Sequence, residues 1–449
     1  MKTLNQIKSK RNFNVTFKGA PELDVSLVPT AKKNGVSPVN FGFIKAKVIV
    51  AVGDSVQRGQ ALFFDKKNPQ VYFHSPVSGT VKAIEYGPQR VLELIEINDA
   101  TNDNSIKFES LSPMSLTSAQ AKSALLERGL WPYLTQLPFN NTPSPEANPP
   151  AIIVQLSNPE PFHARLSAVI DEVEPSLLVG LALLSKLTDI LVVFADADEA
   201  MNLDALTELA RVVRVDGDFS LCDPASVVYH LKDRVEYNHS WVCDWQYLVK
   251  IGKTLTEGAF YNQQYIAVGG NQLSDNHHYC VTEGALIESI VTKEKLTDRM
   301  VFGGLFSGLH TTQSRYLPMG VDAINIIDSD PEVEFMSFLM PGIDKPSYTT
   351  AYLSGFLNRF RPTPTSAALN GSERDCVSCG YCESVCPVDS LPQNILRNIK
   401  GDDVEEAMRY GLLDCSSCGV CTYVCPSKID LASLFSDAKK RLYQEVTAE

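Results

Sequence analysis

The chain of 449 residues has no apolar run of the roughly 18 residues that would suggest a membrane-spanning helix. The nearest candidate, residues 177–187 (LLVGLALLSKL), is too short and carries Lys186. If the protein works at a membrane, it is therefore expected to dock on an integral partner. A secretory signal is lacking too, since the opening MKTLNQIKSKRNF is basic but has no apolar core region. Basic residues are in deficit, 40 Lys and Arg against 53 Asp and Glu, giving a net charge of −13. That balance argues against a nucleic-acid partner. Two glycine pairs, Ala267-Val-Gly-Gly-Asn271 and Phe302-Gly-Gly-Leu-Phe306, lack the G-x-G-x-x-G spacing that cradles a pyrophosphate, and turn chemistry explains them better. No catalytic acid or base emerges. His277-His278, an adjacent pair in a polar loop, is a weak metal hint and reads better as surface. The length suits about three or four domains of about 100–200 residues each, and 44% hydrophobic content is enough for ordinary cores.

What is present in unusual order is cysteine. Eight of the eleven fall in two copies of C-x2-C-x2-C-x3-C-P: Cys376, Cys379, Cys382, Cys386 with Pro387, and Cys415, Cys418, Cys421, Cys425 with Pro426. The second copy lies 39 residues after the first throughout. This is the ligand run of a protein with two cubane [4Fe–4S] clusters, in which the fourth cysteine of each run ligates the other cluster. The expected sets are Cys376, Cys379 and Cys382 with Cys425, and Cys415, Cys418 and Cys421 with Cys386. Structural zinc is the first rival, but it is usually held by two separated C-x2-C pairs, not by three cysteines in seven residues followed by C-P. A disulfide framework, the second rival, belongs to short secreted chains. Cysteine usage thus points to a reducing, cytoplasmic setting. Cys222, Cys243 and Cys280 match no ligand spacing and are expected to be buried or incidental thiols.

Along the first hundred residues, alternation and β-branched content predict short strands at 43–52, 61–64, 71–74, 79–84 and 92–97. The turns in VGDSVQRGQ and SPVSGTV resemble those of the biotinyl/lipoyl-type barrel-sandwich fold. Lys66 and Lys67 stand near its modified-lysine position, in Phe64-Asp-Lys-Lys-Asn-Pro69. The usual context of that lysine is missing, so a solvated hairpin lysine is the better reading. A connector at 138–150 leads into strand 151–155, a largely helical stretch 166–187 broken at Pro175, strand 189–195 and a second helix over 203–213. The alternation suggests a βαβ-type parallel sheet. Residues 255–330 read as mixed strands and turns, and 361–375 as a polar connector. Between the cysteine runs, helices are predicted at 394–400 and 404–410, with Asp402 or Asp403 as cap and Gly411 as stop. A last helix begins at Asp430, with Leu431, Leu434, Phe435, Ala438 and Leu442 on one face, read as core in preference to a docking face. Lys439, Lys440 and Arg441 would suit its negative dipole end.

These features together resemble the NqrA/RnfC family, peripheral subunits of ion-pumping NADH:quinone and NADH:ferredoxin reductases. The resemblance spans nearly the whole chain. It is carried by Phe64-Asp-Lys-Lys-Asn-Pro69, SPVSGTV, Glu127-Arg-Gly-Leu-Trp131, Met340-Pro-Gly342, Asn370-Gly-Ser-Glu-Arg374 and Thr422-Tyr-Val-Cys-Pro426. The N-terminal and middle portions are most similar to the NqrA component of Na⁺-translocating NADH:quinone reductase, and the eight cysteines to RnfC. Typical NqrA chains have lost most of those ligands, so this sequence departs from that pattern. The resemblance implies an α+β multidomain protein: a barrel-sandwich hybrid over 1–110, an α/β domain like the 51 kDa flavin subunit of complex I over 111–254, a β-grasp-like domain over 255–360, and an α-helical ferredoxin over 361–449.

RnfC relatives are expected to carry a G-x-G-G-A-G-F-P loop for the phosphates of FMN and NADH, where only glycine lets backbone amides approach closely. Here the corresponding stretch is Glu127-Arg-Gly129-Leu130-Trp131-Pro132-Tyr133, and Trp131 and Tyr133 would occupy the phosphate space. Asp171-Glu-Val-Glu174-Pro175 looks like the E-x-E-P element bordering that site and is read as a relic. The resemblance therefore implies two [4Fe–4S] clusters, no FMN or NADH site, and electron relay in a membrane ion pump. The partners would be integral and flavin subunits, and the location the cytoplasmic side of the bacterial inner membrane. An adaptor whose clusters are structural, a quinone-binding subunit, and an RnfC-like subunit remain as alternatives. Gly380 and Gly419 would let N–H groups approach sulfur or relieve crowding; Ser378 and Ser417 would donate to sulfur or sit as solvated turn residues.

Overall fold

The computed structural model describes residues 1–9, 17–101, 104–199, 201–273, 276–291, 299–311, 314–327 and 372–447. Met340-Pro-Gly342, Asn370, Gly371 and most of the 361–375 connector lie outside the described residues. The first two strands, β1 (Gln6–Lys8) and β2 (Glu22–Leu27), join sheets built mostly from much later residues. The next seven make a small sandwich: β3 (Lys33–Val36), β4 (Ala46–Val48), β5 (Ser55–Val56), β6 (Ala61–Asp65), β7 (Tyr72–His74), β8 (Ser78–Tyr86) and β9 (Leu92–Thr101). One sheet runs β3-β9-β8-β5 and the other β4-β6-β7. Alternation sends Val81, Ile95 and Ile97 inward to meet Leu62, Phe63 and Phe73. The strand expected over 43–52 shrinks to β4, because Phe43 adopts φ +66°, a left-handed geometry that no strand continues.

The α/β unit opens with α1 (Ser118–Glu127), held by a Thr117–Gln120 capping box, and the short strand β10 (Thr135–Gln136). Then come β11 (Ile152–Gln155), α2 (Ile170–Leu184), β12 (Leu191–Asp196), β13 (Arg211–Asp216), α3 (Pro224–Leu231), β14 (Trp241–Asp244) and α4 (Trp245–Glu257). The sheet order is β1-β13-β12-β11-β14-β10, parallel except for β10. Helices α2 and α4 approach backbone to backbone: a Cβ on Gly252 would lie 2.1 Å from the Ser176 carbonyl oxygen. Two local expectations fail. The helix over 203–213 is a 3-10 turn, Asp204–Glu208, followed by strand β13. Pairing with β12 on one side and β1 on the other, with β-branched Val212, Val213 and Val215 to suit it, overrides helix propensity. Nor does Pro175 break α2, since both it and Asp171, whose carbonyl loses a donor, are exposed, where water can serve instead.

The third sheet comprises β15 (Gln263–Gly269), β16 (His277–Thr282), β17 (Arg299–Phe302), β18 (Leu309–Thr311) and β19 (Ala323–Ile327), in the order β18-β17-β19-β15-β16-β2. His277 and His278 therefore open a strand and are not in a loop. His278 is buried, its Nδ1 donating to the Glu22 carbonyl (2.6 Å) and its Nε2 accepting from the Arg165 amide (3.3 Å). The surface reading of His278 failed because β2, whose Val25 pairs with it, arrives from far earlier in the chain to cover it.

The C-terminal unit is helical: α5 (Tyr381–Ser384), α6 (Pro392–Lys400), α7 (Val404–Arg409), α8 (Val420–Tyr423) and α9 (Leu431–Val446). Asp403 caps α7 and Asp430 caps α9, each accepting from a backbone amide three residues on. The α9 stripe is core: Leu431, Phe435 and Ala438 pack with Ile395, Leu396 and Leu412. Because α9 runs on to Val446, Lys439 falls in mid-helix and is buried, not at the dipole end. The unit is seated on the rest of the chain by His230, whose Nε2 donates to the Pro387 carbonyl (2.9 Å), by a Lys232–Asp414 ion pair, and by Tyr443 against Phe43 and Phe139. Lys67 lies with its ammonium over the Tyr443 ring, 4.8 Å from its centroid. Among the described residues no helix is long and apolar enough to cross a membrane.

Candidate metal centres

Each cysteine run wraps through two left-handed residues, Ser378 (φ +54°) and Gly380 (+77°) in the first, Ser417 (+60°) and Gly419 (+75°) in the second. A short helix, α5 or α8, then carries the chain away to the cysteine before proline. Cys376, Cys379 and Cys382 line one cavity together with Cys425, walled by Leu396, Ile429 and Leu431. Cys415, Cys418 and Cys421 line another with Cys386, walled by Val388, Ile395, Val420 and Phe435. None of the eleven cysteines is in a disulfide.

The donor set suits a cluster chemically. Backbone amides reach the sulfurs: Ser417 N–H donates to Cys415 Sγ at 3.4 Å, and the amides of Val388 and Val420 serve Cys386 and Cys418. The Ser417 contact is thus made by backbone. Burial, then the neighbouring thiols, push Cys382 up to about 11 and Cys421 well above the ordinary thiol range. Thiols buried in this way ionise favourably only when a bound cation takes up their charge. Cys222, Cys243 and Cys280 are buried elsewhere, and burial raises each thiol, Cys280's to about 11.

The two centres differ in cover. Cys376 and Cys379 of the first are exposed, whereas Cys386, Cys415, Cys418 and Cys421 of the second are all half-buried. A loop of the third unit covers the second run. A Cβ on Gly419 would meet the Phe306 carbonyl oxygen at 2.3 Å, and the Phe306 ring packs on Phe219 (4.9 Å) and Tyr423 (5.2 Å). Glu160 holds this loop, its carboxylate accepting from Phe306 N (2.7 Å), Ser307 N (2.8 Å) and Ser307 Oγ (2.7 Å). His163 bridges it to Asp322, with Nε2 3.4 Å from Glu160 and Nδ1 2.9 Å from Asp322. Burial alone would discharge His163, but the two carboxylates outweigh it and push the imidazole up to about 10. The Phe302-Gly-Gly-Leu-Phe306 turn has its reason here: a Cβ on Gly304 would fall 2.0 Å from the Glu160 carboxyl. Sequence reasoning missed this trio; its one local signal is the Glu160-x-x-His163 spacing.

Both run glycines resist substitution, for different reasons. Gly380→Ala is expected to cost the left-handed strain alone, about 1–2 kcal/mol, as nothing lies near its missing Cβ. Gly419→Ala adds the collision with Phe306. Its thermal midpoint should fall further than that of Gly380→Ala, and equal falls would contradict the contact.

Residues 128–132 are buried in the core. Trp131 is 0% exposed, donates to the Pro143 carbonyl (2.9 Å) and packs edge-on against Trp241. Tyr133 donates to Glu283 (2.6 Å), which is ion-paired with buried Lys250 (2.7 Å). Asp171 and Glu172 sit exposed in the first turn of α2, and Glu174 is half-buried.

Residues 7–100 match the family model of the NqrA N-terminal barrel-sandwich hybrid domain, 116–260 that of the NqrA second alpha/beta domain, and 375–429 the 4Fe-4S dicluster domain. The NqrA chain of the Na(+)-translocating NADH-quinone reductase of Neisseria meningitidis serogroup A is 30% identical over 417 residues, 91% of this chain and 92% of its own. That of Tolumonas auensis is 28% identical over 417 residues, and that of Shewanella amazonensis 30% over 416. Identity of 30% across nine-tenths of both chains, with both N-terminal domains matched, makes this protein a member of the NqrA family of Na⁺-translocating NADH-quinone reductase subunits, with a 4Fe-4S dicluster domain at its C-terminal end.

Proposed function

We propose that the chain is a peripheral iron–sulfur electron-transfer subunit of a membrane ion-translocating NADH:quinone reductase of the Na⁺-pumping type. Its partners would be integral and flavin subunits on the cytoplasmic side of the membrane. The observation that carries this reading is the crossed convergence of eight cysteines on two cavities. Cys376, Cys379, Cys382 and Cys425 would hold one [4Fe–4S] cluster, and Cys386, Cys415, Cys418 and Cys421 the other. Such clusters supply one-electron chemistry at potentials set by hydrogen bonds to sulfur, local charge and exposure. The chain's own part is to orient the thiolates, supply N–H donors to them and keep water from the second centre. The exposed Cys376 and Cys379 mark the natural point of exchange with a partner. The proposed division into units at 1–110, 111–254, 255–360 and 361–449, with a flavin-subunit-like second unit and a β-grasp-like third, goes with this reading.

The chain would not itself oxidise NADH, because Trp131 and Tyr133 are locked into core where a phosphate loop needs open backbone. Purified protein supplied with FMN and NADH is expected to leave the NADH absorbance unchanged; steady oxidation would refute the point. For the relay itself, dithionite reduction should yield two interacting EPR signals whose potentials lie within reach of the complex's donors. Silent clusters, or potentials far below any donor, would favour the adaptor reading in which they only stabilise the C-terminal unit.

A further inference from the structure

The 39-residue repeat of the cysteine runs extends into the helices behind them. Helix α5 begins at Tyr381 and α8 at Val420; α6 begins at Pro392 and α9 at Leu431. In this register Leu396 corresponds to Phe435, and each lines the cavity of its own half. One turn further on, Lys400 corresponds to Lys439. The two lysines have opposite surroundings. Lys400 is the last residue of α6, exposed to water beside Gly401. Helix α9 continues instead to Val446, packed through Tyr443 on Phe43 and Phe139. Lys439 is left 8% exposed, its ammonium donating to the carbonyl of Cys415, a residue lining the second cavity.

Asp414 is engaged with Lys232. Asp223 lies close enough to feel Lys439, but burial pushes its carboxyl up to about 6, and it is occupied as the cap of α3. A cluster held by four thiolates is anionic, and reduction adds another negative charge. A nearby buried ammonium favours the reduced form, since a low dielectric weakens the field little. Lys400, in water, is screened.

Resting on the two-cluster reading above, we propose that Lys439 makes the centres unequal. It holds the one bound by Cys386, Cys415, Cys418 and Cys421 at the higher midpoint potential, so that a single electron from a low-potential donor settles there. Lys439 is then a potential-setting residue acting through charge, and the internal repeat supplies its own control in Lys400.

The test is an EPR-monitored redox titration of the full chain with both clusters in place, comparing wild type with Lys439→Met, Lys439→Arg and Lys400→Met. Lys439→Met is expected to shift the oxidised-to-reduced ratio of one centre at least tenfold toward oxidised, about 59 mV for a one-electron couple. The other centre should not move. Lys439→Arg should keep the wild-type values, and Lys400→Met should shift neither centre. In a Cys386→Ser background, Lys439→Met should have nothing left to shift. Unmoved potentials, equal shifts in both centres, or like behaviour of the Met and Arg variants would each overturn the proposal. Loss of iron from Lys439→Met alone would make Lys439 structural and overturn it too. Wild-type protein that binds no more than one cluster would instead refute the reading beneath it.

Discussion

Replacing Cys386 by serine is expected to extinguish the centre built on the second cysteine run and to spare the one built on its own run. The reason is geometric: Cys386 lines the cavity of Cys415, Cys418 and Cys421, while Cys376, Cys379 and Cys382 share theirs with Cys425. Iron and acid-labile sulfide should fall from about eight to about four of each per chain, as they should in Cys415→Ser. The signal surviving in Cys386→Ser should match the one surviving in Cys415→Ser and differ from the one surviving in Cys425→Ser. The helical unit should also lose stability, because binding energy of metal to thiolates in a small unit is folding energy. If Cys386→Ser instead removed the same signal as Cys376→Ser, each run would serve its own cluster and the crossed reading would be wrong.

The second large effect is expected at Glu160. Its buried carboxylate takes two amides and a hydroxyl of the Phe306–Ser307 loop and faces a charged His163. Glu160→Ala strands those donors and removes half of the imidazolium's compensation, at a cost of about 3–5 kcal/mol. Freed of its anchor, the loop should uncover the second centre, so that chelator or oxygen bleaches that centre faster than the first. The pH dependence has a defined sign. His163 sits at about 10 in the fold against about 6.5 unfolded, so its contribution is complete below about 6.5 and is lost as pH rises toward 10. Urea midpoints of the wild type should therefore fall between pH 6.5 and 9.5, and in Glu160→Gln fall less. A flat wild-type profile, or an identical decline in both proteins, would remove this ion array from the stability of the loop.

Much of the site's chemistry was legible because it is local. Three thiols in seven residues, a proline after the fourth, caps at Asp403 and Asp430 and a stop at Gly411 all act within one or two turns of chain. So do the short strands of the first sandwich, whose side chains alternate with a period of two. Three of the misses share a cause. Residues 203–213 carry helix-compatible residues, yet the open edge beside β12 and the arrival of β1 make a strand of 211–216. His278 looked solvated until β2 closed over it. The carboxylate that explains Gly304 lies 144 residues earlier in the chain, at Glu160.

By itself, then, the sequence determined that eight cysteines stand in two identical runs 39 residues apart and that a 4Fe-4S dicluster domain closes the chain's matched part, since spacing needs no partner. Only the tertiary structure decided that Cys376 and Cys379 stay exposed while Phe306 covers the second run, that Glu160 and His163 hold that cover, and that of two lysines in equivalent repeat positions one is buried. Burial and electrostatic field depend on what packs against a residue from distant parts of the chain, and no window of sequence contains that information.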